Sequence, residues 1–196
     1  MKNILIYSLF AIFLGCGSSC GAPELQTTGI DTQEAEEDER DWMTWSECSH
    51  RAGDHPCNFS LQNQNGETVE LYDFYGKVII VDLSAMWCGV CQNIASDGET
   101  LSQRYGSDDF VWLTVLVEDE SGNPPDQADL ERWATLFNIT GNVLGGDRSL
   151  VDINAETGYP VTGWPTVVVI DREMRIYNGV NGWSESLVTS WIESLI

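Results

Sequence analysis

The residues best able to do chemistry in this chain are its cysteines, six among 196 residues. Cys88-Gly89-Val90-Cys91 puts two thiols three positions apart, a spacing that serves either zinc binding or disulfide exchange and does not choose between them. A structural zinc site needs four ligands, and the other candidates, Cys48, His50, His55 and Cys57, lie well upstream. Context favours exchange. The dithiol follows a short β-branched run and opens a helical pattern, so Cys88 faces the unpaired N–H groups and positive dipole of a helix start, both of which favour thiolate. Cys88 is therefore expected to be the nucleophile. Cys91, one helical turn on, sits at the ~5–6 Å separation that a disulfide tolerates and is expected to resolve the mixed disulfide. Cys48 and Cys57 flank a loop containing Gly53 and Pro56. Their reading is a structural disulfide worth about 2–3 kcal/mol, with a Cys/His metal cluster including His50 and His55 as the alternative. The reading calls for no metal and no cofactor.

Two further features stand near the dithiol motif or share its chemistry. Asp82 interrupts the apolar run Val78-Ile79-Ile80-Val81-Asp82-Leu83, and a buried carboxylate is costly unless it takes up a proton or finds a partner. Six positions before Cys88, it either relays a proton to and from Cys91 or is a strand-end carboxylate reaching water or Lys77. Gly163-Trp164-Pro165-Thr166 precedes the run Val167-Val168-Val169-Ile170, and proline is permitted at a strand's first residue because no ladder N–H is needed there.

The elements that must position these residues alternate between strand and helix patterns, the mark of an α/β sheet. Phe59 to Leu61 and Thr68 to Glu70 flank Asn65-Gly66, a hairpin turn pair. Val78 to Leu83, Phe110 to Val117 and Thr166 to Ile170 read as buried strands, and Arg175 to Asn178 as an edge strand. Val90 to Tyr105, Ala128 to Phe137 and Ser184 to Ile196 read as helices, the first ending at Gly106. The stretch Glu118 to Asp126 reads as a solvated polar loop, since Glu118-Asp119-Glu120-Ser121-Gly122-Asn123 lacks the twelve-residue pattern of a calcium loop.

Charge and the N-terminus bound the setting. The formal charge is −22, so nucleic acid and anionic headgroups are poor partners. Lys2 followed by the apolar stretch Ile4 to Leu14 is too short for the ~20 residues of a membrane span and reads as an export signal over residues 1–15. Between Gly21 and Glu47 nine acids face one basic residue, Arg40, so residues 16–47 read as a disordered acidic tether and residues 48–196 as the globular domain. An exported chain is permitted disulfides.

Three motifs in order carry a family resemblance. Val81-Asp82-Leu83-Ser84-Ala85-Met86-Trp87-Cys88-Gly89-Val90-Cys91 resembles the active-site strand and turn of thioredoxins, and Gly163-Trp164-Pro165-Thr166 resembles their cis-proline loop. The upstream Asn58-Phe59-Ser60-Leu61, Asn65-Gly66 and Leu71 to Lys77 are similar to the N-terminal hairpin of extracytoplasmic redoxins of the TlpA and ResA type in the AhpC/TSA-like group. Phe13-Leu14-Gly15-Cys16 resembles a bacterial lipobox, with Phe13 where Leu is usual, which implies lipidation of Cys16. The resemblance implies a thioredoxin-like α/β fold, a central mixed sheet flanked by helices with a hairpin extension. It implies that Pro165 is cis against the dithiol, that Trp87, Trp164 and Thr166 border a substrate groove, and that Asp82 occupies the buried-acid position. The expected activity is thiol–disulfide exchange with cysteine-containing exported proteins and a membrane thiol electron donor, by a periplasmic, lipid-tethered monomer. Val90 replaces the His of strong oxidants, which favours a reductase. A peroxidase would need a Pro-x-x-x-Thr-x-x-Cys segment, absent here, and a non-catalytic binding module with a structural disulfide is the third alternative.

Overall fold

The strand that leads to the dithiol, β3 (Val78–Ala85), is buried at every position, as its β-branched run predicts for a strand covered on both faces. It is parallel to β4 (Phe110–Glu118) and antiparallel to β6 (Thr166–Ile170). The computed structural model describes residues 40–106 and 108–196; the signal segment 1–15, Cys16, Cys20 and most of the tether lie outside the described residues. Around β3 the sheet has seven strands in the order β2-β1-β5-β4-β3-β6-β7, with β1 (Ser60–Asn63), β2 (Thr68–Glu70), β5 (Asn142–Gly145) and β7 (Ile176–Asn181) completing it. The strands β3, β4 and β5 are mutually parallel and the remaining pairings antiparallel, so the sheet is mixed.

The hairpin turn is pinned by one side chain. Asn63 Oδ1 accepts from the backbone N–H groups of Asn65 and Glu67 at 2.9 and 3.0 Å. The strand β5 is not announced by any periodicity, because four residues are too few to display one.

Helices α1 (Gly89–Tyr105) and α2 (Gln127–Phe137) connect successive parallel strands. Two crossovers stepping in one direction place their helices on the same face when both take the usual right hand, and the packing agrees. Val78 and Ile80 of β3 meet Ile94 and Leu101 of α1 together with Val188 and Ile192 of α3 (Glu185–Leu195). Leu116 and Val143 meet Leu130 and Trp133 of α2 on that face. Gly98 lets α1 press against the sheet, because a Cβ there would come within 2.6 Å of the Trp112 ring.

The opposite face carries Ile79, Val81, Leu83, Leu113, Val115 and Val168. It is covered by the segment after β2, with Leu71 and Tyr72, and by the long return from β5 to β6, with Leu150, Val151 and Tyr159. The N-terminal segment joins them. Trp42 stacks on Tyr75 at 4.0 Å between centroids, and Trp45 donates its indole N–H to Tyr72 Oη at 3.3 Å. The packed unit accordingly runs from Trp42, ahead of the boundary expected at Cys48, because these two aromatic rings bury area that an acidic tether otherwise lacks.

Candidate active site

The turn between β3 and α1 presents the dithiol at one end of the sheet. Cys88 is the N-cap of α1 with extended backbone, and its Sγ accepts the Cys91 backbone N–H at 3.1 Å. A sulfur held on a helix-start N–H is where negative charge is best tolerated. Cys88 and Cys91 are disulfide-bonded, with Cα atoms 5.2 Å apart. Cys88 is 7% exposed and Cys91 fully buried, whereas the flanking Trp87 and Val90 are about half exposed, at 51% and 49%. Cys88 is therefore the more accessible of the two sulfurs, and Cys91 is shielded. Two hydrogen bonds fix the turn: Cys88 N–H to the Ala85 carbonyl at 3.0 Å and Gln92 Nε2 to the Met86 carbonyl at 2.8 Å.

Asp82 lies below this turn on the helix face of β3, in the row of Val78 and Ile80, and is 1% exposed. It is shut off from water, and the Ser84 hydroxyl donates to it at 2.7 Å. Burial pushes its carboxyl up to about 7, with Ser84 and the nearby Trp112 indole pulling the other way. The Trp112 nitrogen completes no hydrogen bond, so its influence is weak. A carboxyl with that environment holds its proton near neutrality and can exchange it.

The proline loop meets the same end of the sheet. The Trp164–Pro165 peptide is cis, and Thr166 pairs with Leu83, the residue after Asp82. Pro165 is buried, its carbonyl accepting the Gly182 N–H at 2.7 Å. Trp164 packs against the cluster that contains both cysteines. Thr166 corrects an expectation. It is 2% exposed, and its hydroxyl lies 2.8 Å from both the Gly163 carbonyl and Asn181 Oδ1, so its side chain braces the loop instead of lining a groove.

Cys48 and Cys57 are disulfide-bonded, with Cα atoms 4.9 Å apart. The neighbouring histidines are engaged elsewhere. His55 donates from Nδ1 to the Met174 carbonyl at 2.8 Å and stacks flat on Trp45. His50 is buried edge-on against Tyr159, and burial lowers its pKa to about 4 against the pull of Asp152. Among the described residues no group of three or more His, Cys, Asp or Glu is placed to hold a metal ion.

Glu118 was expected in a solvated loop and is instead the last residue of β4, 4% exposed. It pairs with Arg148 and accepts the Trp87 indole N–H at 2.8 Å. The signal that marks Asp82, a charge closing a buried apolar run, was present here too.

Comparison with known proteins bears on this site. The sequence profile of the AhpC/TSA family matches residues 52–178. The chain is 25% identical over 134 residues to the thioredoxin-like protein YneN of Bacillus subtilis, covering 67% of this chain and 74% of that protein. It is 24% identical over 149 residues to the thiol-disulfide oxidoreductase ResA of Halalkalibacterium halodurans, covering 73% and 76%. Among solved structures, the pneumococcal exposed lipoprotein thioredoxin Etrx1 of Streptococcus pneumoniae aligns with a TM-score of 0.58 and 26% identity, over 71% of this chain and all of that one. A thioredoxin-family thiol:disulfide interchange protein of Chlorobium tepidum aligns at 0.58 with 19% identity, over 78% and 99%, a likeness of fold.

Proposed function

Since the chain belongs to the AhpC/TSA family and has a thioredoxin-like fold, we propose that it works through Cys88 and Cys91 as a thiol–disulfide oxidoreductase. The observation that carries this reading is the position of Cys88 at the helix start, its Sγ on the Cys91 N–H, beside a fully buried partner sulfur. In the reducing direction the Cys88 thiolate attacks a substrate disulfide and expels one substrate sulfur as a thiolate. Cys91 then attacks the mixed disulfide at Cys88, releasing the second substrate sulfur and closing the Cys88–Cys91 bond. Asp82 accepts the proton that Cys91 loses, and a donor thiol pair restores the dithiol.

The substrates are protein cysteines. The finer assignments form part of the same proposal: residues 1–15 direct export, Cys16 carries a lipid, the acidic segment after it is a tether to a periplasmic head, and a membrane thiol donor supplies electrons to a monomer. Support for export comes from the Lys2 to Leu14 pattern, and Etrx1 is described as an exposed lipoprotein. The reducing direction rests on Val90, half exposed between the cysteines, where strong oxidants carry His.

Cys91→Ser tests the mechanism. It leaves Cys88 able to attack but removes the resolving thiol, so a covalent complex with the natural substrate accumulates and is released by dithiothreitol. A Cys91→Ser chain that captures no cysteine-containing protein in cells, while the wild type stays active, rules out the two-step exchange. Equilibrium titration against glutathione tests the direction; a potential near the ~−120 mV of the strongest oxidants reverses it.

A further inference from the structure

Glu118 has no place in the exchange chemistry above, yet both oxygens of its buried carboxylate are engaged at that end of the sheet. A buried carboxylate is tolerated only when its oxygens are paired. Here the two oxygens are divided: Oε2 accepts the Trp87 indole N–H at 2.8 Å, and Oε1 meets the Arg148 guanidinium. The Glu118 backbone also holds the turn, its carbonyl accepting the Met86 N–H at 2.9 Å. This arrangement depends on the irregularity between Ser84 and Ala85, which brings Glu118 opposite Ala85 where regular pairing would bring Val117.

Arg148 arrives by an equally specific route. After β5 the chain is drawn onto β4 by the Gly146 N–H, which donates to the Leu116 carbonyl at 2.8 Å. A Cβ at Gly146 would lie 2.7 Å from the Leu150 side chain and 2.9 Å from that of Val115, so a larger residue would have to push these side chains aside. Asp147 then caps the short 3-10 helix Arg148–Leu150 through the Ser149 N–H. The Arg148 side chain, 69% exposed, closes over the Glu118 carboxylate from the solvent side.

We propose that Glu118, held by Arg148, is a positioning residue that fixes the Trp87 ring beside Cys88 and thereby sets affinity for protein disulfides. The inference rests on the exchange reading of the dithiol. Trp87 is a large ring, half exposed, immediately before the attacking sulfur. A mobile ring there would have to be ordered each time an extended substrate docked, and a ring already tied down avoids that entropy loss. The effect belongs in substrate affinity, because neither sulfur touches Glu118.

The test uses the full chain with dithiothreitol as donor and two oxidants: insulin, which must lay its backbone along the site, and bis(2-hydroxyethyl) disulfide, which does not. Glu118→Ala and Trp87→Phe, which keeps a ring and removes the N–H, each raise the insulin KM about fivefold, the worth of roughly one hydrogen bond. In Glu118→Ala the insulin kcat and the small-disulfide rate stay within about twofold, and the double variant is no worse than either single one because both remove the same interaction. Arg148→Gln raises the insulin KM by less. Single-variant effects that multiply in the double, a fall in the small-disulfide rate matching the insulin loss, or an unchanged insulin KM in both single variants overturns the proposal. Should Glu118→Ala fail to fold, Trp87→Phe and Arg148→Gln decide it, and an insulin KM unmoved by both overturns it. A wild-type chain that reduces neither disulfide overturns the exchange reading as well, which separates the two failures.

Discussion

The described residues contain two disulfides of almost the same span, with Cα separations of 5.2 Å for Cys88–Cys91 and 4.9 Å for Cys48–Cys57, and they sit in different local settings. Cys88 caps a helix and takes a backbone N–H on its sulfur, above a buried carboxyl whose pKa burial pushes up to about 7. Cys48 is exposed in a loop whose lining mixes Glu47, Asp54 and Glu156 with Arg51 and Arg175, and it has no helix start to hold a thiolate. The dithiol region is built to lower the cost of a negative sulfur. The second region is built from rings and carbonyls: His55 on Met174 and Trp45, and Trp42 on Tyr75. Cysteine spacing thus sets which sulfurs can join, and the surroundings set which of those bonds turn over.

The largest expected effect falls on the dithiol. Cys88→Ser removes the attacking sulfur and eliminates reduction of insulin by dithiothreitol above the uncatalysed rate; residual turnover would mean that the second disulfide is itself exchanging.

Asp82→Asn tests the buried acid. It slows resolution by Cys91 about 10²-fold or more, the range of general acid–base catalysis, seen as accumulated mixed disulfide in rapid-quench experiments. The same variant carries a stability signature with a definite sign. The folded pKa of Asp82, about 7, stands above its ordinary value of 3.8, so between these values the native state binds more protons than the unfolded one and stability falls as pH rises. The penalty is absent below about pH 4 and complete above about pH 7. Asp82→Asn is therefore expected to gain about 2–4 kcal/mol over the wild type at pH 8 and almost nothing at pH 4, measured by urea unfolding. An equal gain at both values would place the carboxyl in water.

The second disulfide predicts the reverse pattern. Replacing Cys48 and Cys57 together by Ala costs about 2–3 kcal/mol of unfolding free energy, set by a short closed loop, and leaves insulin reduction within about twofold. A large fall in activity would erase the contrast between the regions. Trp42→Ala is the smallest effect, about 1 kcal/mol for loss of a stacked aromatic pair and its partial burial, with activity unchanged.

Much of this was legible in the chain. The runs Val78 to Leu83, Phe110 to Val117 and Thr166 to Ile170 became central strands, and the Asn65-Gly66 hairpin formed where it was read. Each carries its own local signal, a period or a turn pair. Strand β5 was not legible, since Asn142–Gly145 is defined by its neighbours β4 and β1 and not by a pattern of its own. Thr166 and Glu118 were misplaced for the same reason. Whether a polar side chain faces a groove, water or the interior depends on what lies across from it, here Asn181 for one and Trp87 with Arg148 for the other.

The sequence by itself determined the α/β class, the position of two thiols at a helix start and the presence of a charge in a buried strand, because these follow from nearest-neighbour spacing and burial period. Tertiary structure alone decided that all three helices share one face, that Trp42 and Trp45 cover the other, and that Glu118 reaches Trp87. Those facts depend on contacts between residues tens of positions apart, where chain closure and the room left by Gly98 and Gly146 select the partner and no local pattern records the choice.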